Sequence, residues 1–555
     1  MSYSLVSGLP STHGDDYPLN TTTLLRHAVR TYPEQEIVYR TADDAWDRYT
    51  YADAYRRIGQ AANLLTGLGV EPADVVGILD WNSRRHFELY WAIPGTGAAM
   101  LQMNLRLAPE DLGHVARDSG ASVVCVDESL IPAAEALAPH APGVRTWIIM
   151  SDKPMSEIST TLPGALHYEE LLADAGTDFD WPLIDERSTY SACYTSGTTG
   201  KPKGVYYSHR GIYLHSLTQV AEMGISSADT VMLITPMFHG QSWGLPQSAV
   251  AAKAKVVLPG RYMAEDTSVL VNAMIAEEVT VANGAPAIFQ PMLDYIRTLP
   301  VKPDLSRTRL LSGATEPSLS LMRGLFEETG ADVIHAYGAT ETTPFVTVNR
   351  LKPGLRSTMP TDDQWDLRRC QGLPVTGVDL RIVDADGNDL PADGVSQGEI
   401  VIRGPWIIQS YHNLDNDDDR FLDGWWRSGD VGHLDTNGYL KLTDRIKDVI
   451  KSGGEWISSI DMENALTAHP QIADAAVIGA PHPKWQERPV ALVVTTDARE
   501  LPLSEVHDVL AGQFAKWQLP EVVIYVDSLP RTGVGKLDKK VLRSEYADTY
   551  QGENK

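Results

Sequence analysis

The sequence predicts a layered α/β protein with parallel sheets, followed by a second, smaller α+β domain. Three observations predict it. The chain has 555 residues, more than a single core serves, which points to roughly two to four domains. Before Asp444, short β-branched runs alternate with longer helical patterns, the texture of parallel sheets covered by helices. Near Asp444 that texture changes to short strands and helices over about 110 residues, enough for a domain of its own. The expected division is therefore 1–444 and 445–555.

Along the chain, residues 51–68 carry apolar side chains at helical spacing, with Ala54, Ile58, Ala61 and Leu65 on one face. Runs 75–79, 122–127, 146–150 and 231–235 read as buried strands. Beyond Asp444, helices are expected at 459–469 and 503–517, and strands at 475–479, 490–495 and 522–526. Composition is that of a globular protein, 43% hydrophobic and 22% charged. No apolar stretch is long enough to span a bilayer, and residues 1–20 lack the basic-then-apolar order of a signal peptide. Cys125, Cys193 and Cys370 are too widely spaced for a disulfide framework or a metal site, so the cytoplasm is the expected address. The net charge of −26, from 47 basic and 73 acidic side chains, opposes nonspecific nucleic-acid binding. Clustered cations in such a chain are correspondingly informative.

The strongest cluster is Tyr194-Thr195-Ser196-Gly197-Thr198-Thr199-Gly200-Lys201-Pro202-Lys203-Gly204. Its glycines permit close backbone approach, while hydroxyls, N–H groups and two ammonium charges suit phosphate oxygens. The spacing is not that of a Walker loop. Gly394-Val395-Ser396-Gln397-Gly398 fits the serine-hydrolase elbow pattern, but a turn precedes it and a strand-like run follows, the reverse of what an elbow needs.

The glycine-hydroxyl string resembles the phosphate loop of the adenylate-forming superfamily: acyl-CoA synthetases, peptide-synthetase adenylation domains and luciferases. Four further segments match in order: Tyr337-Gly338-Ala339-Thr340-Glu341-Thr342, Asp423-Gly424-Trp425-Trp426-Arg427-Ser428-Gly429-Asp430, the run from Asp444 to Ile457, and Pro530-Arg531-Thr532-Gly533-Val534-Gly535-Lys536. The resemblance covers about residues 20–545. It implies an acid–CoA ligase, in which a carboxylate attacks the α-phosphorus of ATP and a thiol then takes the acyl group from acyl-AMP. It also implies a small C-terminal domain that rotates about Lys447 between the two steps.

Roles carried over residue by residue make Lys536, Glu341 and Thr195 catalytic, with Thr195 and Glu341 as Mg²⁺ ligands. The nucleotide would meet Thr195, Ser196, Gly197, Thr198, Thr199, Gly200, Lys201 and Lys203. It would also meet Gly313, Ala314, His335, Ala336, Tyr337, Gly338 and Thr340, and, further on, Asp430, Arg445 and Lys447. The thiol step would use Lys451, Ser452, Gly453, Gly454 and Trp456. Physical reasons accompany the main ones: Glu341 is a hard oxygen ligand, Asp430 can accept two ribose hydroxyls, and Lys536 can stand between two approaching anions.

The acid pocket is expected at His239, Gln241, Trp243, Gly244, Ala336 and Gly338. The segment Phe238-His239-Gly240-Gln241-Ser242-Trp243-Gly244 resembles medium- and long-chain acyl-CoA synthetases, closest overall to fatty acyl-CoA synthetases, with an aryl-CoA ligase also open. Relatives often carry asparagine-alanine where this chain has Gln241-Ser242, and glutamine-glycine where it has His335-Ala336. A methyl at Ala336 would narrow the pocket, and Gln241 or His335 could meet a polar substituent. A medium-chain or compact aromatic acid such as a hydroxybenzoate is therefore expected. The partners implied are that acid, ATP, Mg²⁺ and coenzyme A, with a homodimer and an acyl-AMP ligase serving a carrier protein left open.

Overall fold

The computed structural model describes residues 6–14, 16–195, 201–263, 266–414, 419–453, 455–497, 499–531 and 537–551, without the side chains of Glu455 and Trp456. Two compact units are present. The first comprises residues 1–379 and 403–426, the second 380–402 and 427–555.

The first unit is built on two sheets with parallel interiors. The nine-stranded sheet includes, as neighbours, Thr230–Met232, Val281–Gly284, Arg309–Ser312 and Asp332–Tyr337, all parallel, so their C-terminal ends lie along one edge. In doubly wound sheets that edge is where ligands bind. The seven-stranded sheet has Val75–Leu79, Val123–Asp127 and Thr146–Met150 as parallel strands and closes with the antiparallel pair Thr189–Thr195 and Lys203–Ser208. The helix Tyr51–Gly67 buries Ala54, Ile58, Ala61 and Leu65, and opens on a capping box in which Thr50 and Asp53 exchange hydrogen bonds. One cluster formed by Met232, Ile234, Val257, Phe289 and Leu310 fills one face of the larger sheet.

The expected strand at 231–235 ends at Met232. The reason is a side chain: the N–H groups of Ile234 and Thr235 both donate to Asn283 Oδ1, at 3.1 and 3.2 Å, in place of a ladder partner.

The second unit pairs Ile472–His482 with Gln486–Thr495, adds Val522–Tyr525 in parallel, and packs the helix Ser459–Thr467 against them. Its core includes Ile457, Leu466, Val477, Val493 and Leu510. The helix expected over 503–517 stops at Leu510. Gly512 disfavours its continuation, and Phe514 turns back against the core instead. In the hydrolase-like string, Ser396 donates to Asp393 Oδ2 at 2.8 Å in a turn that leads into the strand Gly398–Arg403. That is turn chemistry, with no elbow. Among the described residues no helix is long and apolar enough to cross a membrane.

Candidate functional site

In the first unit, the two ends of the phosphate-loop string lie on the antiparallel strands Thr189–Thr195 and Lys203–Ser208. Thr195 and Lys203 face each other as their last pair; residues 196–200 lie outside the described residues, and Lys201 follows them exposed. The stem is held at several points. His412 N donates to Gly204 O at 2.9 Å, and its ring stacks on Tyr206 at 4.1 Å. Tyr207 donates to Thr340 O at 2.7 Å. The Lys203 ammonium sits 4.9 Å over the Tyr411 ring, and the Tyr411 hydroxyl donates to Glu341 Oε1 at 2.9 Å. Hairpin and acidic motif, some 140 residues apart in sequence, thus meet through two phenols, Tyr207 and Tyr411. Burial, then the Glu341 charge, hold the Tyr411 phenol well above its ordinary pKa, so it stays a neutral donor. Tyr411 was missed in the sequence because a lone tyrosine outside any phosphate-like string carries no signal.

Glu341 lies in the short turn Thr340–Thr342. Gly338, before it, has no room for a side chain: a Cβ there would lie 1.3 Å from Pro344 O. A carboxylate and a hydroxyl are hard oxygen donors, and Mg²⁺ ordinarily takes only one or two protein ligands beside waters and phosphates. Glu341 and Thr195 fit that donor chemistry, and among the described residues no group of three or more His, Cys, Asp or Glu is placed to hold a metal ion.

On the strand Asp332–Tyr337, His335 and Ala336 face opposite ways. The His335 ring is turned to Arg369 O at 2.6 Å, and burial pushes its pKa down to about 4. Ala336 belongs with two other candidates. A Cβ built on Gly313 would meet the Trp243 indole at 3.0 Å and Ala336 O at 3.3 Å, so these three form one wall. Ala314 follows with φ +71°.

Trp243 is carried on an unusual turn. Gly240, Gln241, Ser242, Trp243 and Gly244 all have positive φ, from +49° to +75°. Three of these are not glycine, and each costs about 1–2 kcal/mol in a left-handed conformation. Ser242 donates to Thr235 O at 2.8 Å, Asn283 Nδ2 donates to Ser242 O at 2.7 Å, and Gln219 Nε2 donates to Trp243 O at 3.0 Å. Gln241 is buried and accepts from Gln247 at 3.1 Å. His239 opens the turn. Gly244 is needed where it stands, because a Cβ would lie 2.4 Å from the buried His215 ring. Asn283, Gln219 and His215 were not legible in the sequence, since none lies in a motif.

In the second unit, Asp430 and Arg445 face each other on the antiparallel strands Trp425–Leu434 and Leu440–Arg445, with Arg445 Nε 3.3 Å from Asp430 Oδ1. Half-buried Lys447 has its pKa lowered by burial. Lys451 and Ser452 lie on the short strand Ile450–Ser452, and Gly453 turns the chain at φ +63°. The Trp485 ring covers Gly453, 3.2 Å from where a Cβ would stand, and Gly453 N donates to Trp485 O at 2.9 Å. Gly454, Lys536 and the Trp456 side chain lie outside the described residues.

The chain matches the model of the AMP-binding enzyme family over residues 25–412 and that family's C-terminal domain over 461–536. It is 39% identical to a 3-methylmercaptopropionyl-CoA ligase of Ruegeria lacuscaerulensis, over 96% of this chain and 98% of that one. It is 38% identical to a medium-chain-fatty-acid–CoA ligase of Ectopseudomonas oleovorans, over 95% and 96%. In fold it is similar to an anthranilate CoA ligase in complex with anthranoyl-AMP, with a TM-score of 0.83 at 24% identity, covering 96% and 99%.

Proposed function

Because the chain belongs to the AMP-binding enzyme family and is an AMP-forming acid–CoA ligase, we propose that it activates a compact, medium-chain alkyl acid with ATP and Mg²⁺ in the cytoplasm. The observation that carries the choice of acid is the wall formed by Trp243, Gly313 and Ala336, in which a glycine leaves just the thickness of an indole. Of the two side chains that would have welcomed a polar substituent, His335 is engaged with Arg369 O, whereas Gln241 accepts from Gln247 and has a buried Nε2 without a hydrogen-bond partner among the described residues. The engagement of His335 favours alkyl acids over hydroxybenzoates. The names of the two relatives support the same direction.

The residues then divide the work as follows. Lys203 and the loop before it hold phosphate oxygens, with Tyr411 orienting Glu341 beside them. Bound Mg²⁺, held by Glu341 and Thr195, would neutralise charge on the phosphates. Asp430 accepts the ribose hydroxyls and is itself held by Arg445. Lys536 stabilises the charge that develops as carboxylate meets α-phosphate, and the segment from Lys451 to Gly454 passes the thiol when the C-terminal domain turns about Lys447. No protein nucleophile is needed. A homodimer fits this reading without being required by it.

The test is pyrophosphate release across graded straight-chain acids and benzoates, with and without CoA. The expected result is a maximum at medium chain length with CoA consumed in step; a preference for benzoates would overturn the choice of acid. Lys536→Ala should abolish acyl-AMP formation yet leave thioester formation from supplied acyl-AMP largely intact. Equal loss of both half-reactions would remove Lys536 from its role.

A further inference from the structure

We propose that Asn283 and Ser242 set which acids are accepted without touching them, by locking the left-handed turn that presents Trp243 to the acid; this rests on the pocket placement proposed above. Among the described residues of the first unit, the turn holds the longest run of non-glycine residues at positive φ. Three non-glycine residues in succession, Gln241, Ser242 and Trp243, stand at φ +54°, +49° and +57°, and unheld they would relax toward the right-handed or extended regions.

Asn283 supplies the hold, and its whole carboxamide is committed to it. Its Oδ1 accepts from Ile234 N at 3.1 Å and from Thr235 N at 3.2 Å. Its Nδ2 donates to Ser242 O at 2.7 Å and to Ser242 Oγ at 3.2 Å. Ser242 Oγ passes the link on to Thr235 O at 2.8 Å. One fully buried side chain on the strand Val281–Gly284 thus ends the neighbouring strand and fixes the middle of the turn. Gln219 fixes the next carbonyl, that of Trp243, and is itself oriented by Ser248, which donates to its Oε1 at 2.7 Å. With both carbonyls held, the indole lies against Gly313, whose other neighbour is Ala336 O. Ser242, one half of the Gln-Ser departure from the resembling segment, therefore has a partner within the protein.

The test is kcat/KM for pyrophosphate release over graded alkyl acids in Asn283→Ala, Trp243→Ala and the double variant. Asn283→Ala is expected to shift the ratio of long- to medium-chain efficiency by about 10-fold, the size of a displaced methylene-sized wall, with KM for ATP within about twofold. In the Trp243→Ala background the same change should shift that ratio by less than about twofold, because the effect runs through the indole. If all acids lose efficiency equally, or if the ratio shifts as much without Trp243, the proposal is overturned. Ser242→Ala, which loses the hydroxyl links and keeps the carbonyl bond, gives the same test if Asn283→Ala does not fold; it should move the ratio in the same direction by about threefold. An unaltered enzyme that releases no pyrophosphate with any acid would overturn the underlying pocket reading, whereas an active enzyme whose variants keep the parent ranking overturns this inference alone.

Discussion

The two walls of the candidate site in the first unit are built on opposite plans. Around Glu341, the contacts are polar and partly open, and the Tyr411 phenol joins two motif residues, the Glu341 carboxylate and the Lys203 ammonium. Around Trp243, the backbone is left-handed and buried, and the residues holding it, Gln219 and Asn283, come from other elements and from no motif. Chemistry common to a whole family needs fixed charges and donors at fixed places. Choice of acid needs only the position of a wall, which many residues can adjust. The difference teaches that reaction and specificity are encoded at different ranges along the chain.

Three substitutions press on this comparison. The largest effect is expected at its seam, Gly338, whose neighbours lie on both walls. In Gly338→Ala the new methyl would coincide with Pro344 O, so the backbone between Ala336 and Glu341 must move. Overpacking of this kind costs about 1–3 kcal/mol or more, and pyrophosphate exchange should fall by about 100-fold for every acid. Retention of near-parent exchange would mean that the seam is soft and the two walls are independent.

A smaller effect, confined to the nucleotide wall, is expected for Tyr411→Phe. It removes a hydrogen bond to a charged group, about 1.5–3 kcal/mol when unreplaced and less where water takes over, so kcat/KM for ATP should drop by about 10-fold. The ranking of acids should stay unchanged. A changed ranking would show that the walls communicate.

The third effect is on stability rather than turnover, on the acid side. His215 is fully buried, its ring nitrogens have no hydrogen-bond partner, and it packs edge-on against Phe345 and Trp406. Burial pushes its pKa from 6.5 down to about 3. The unfolded chain therefore binds a proton between these values that the folded chain refuses, and stability falls as pH drops from 6.5 towards 3. His86, His209 and His335, each lowered to about 4, act in the same sense. His215→Phe should reduce the slope of unfolding free energy against pH in that window by about 1.4 kcal/mol per pH unit, measured by denaturant unfolding. An unaltered slope would mean that His215 is protonated in the folded protein.

The sequence by itself determined the α/β layers, because buried strands and amphipathic helices announce themselves through local periodicity. The strands at 75–79 and 146–150 and the helical face of Ala54, Ile58, Ala61 and Leu65 needed nothing else. It also determined the reaction class, because the family is announced by short strings of hydroxyls, glycines and charges such as those around Thr195, Glu341 and Asp430. Tertiary structure alone decided that Tyr411 joins Lys203 to Glu341, that the His335 ring turns to Arg369 O, and that the strand at 230–232 ends early on Asn283. For Tyr411 and for Asn283 the deciding group is a single side chain brought from far along the chain. A hydrogen bond at that separation leaves no periodicity and no spacing in the sequence; its partners are specified only when the sheets place them within 3 Å or so of one another.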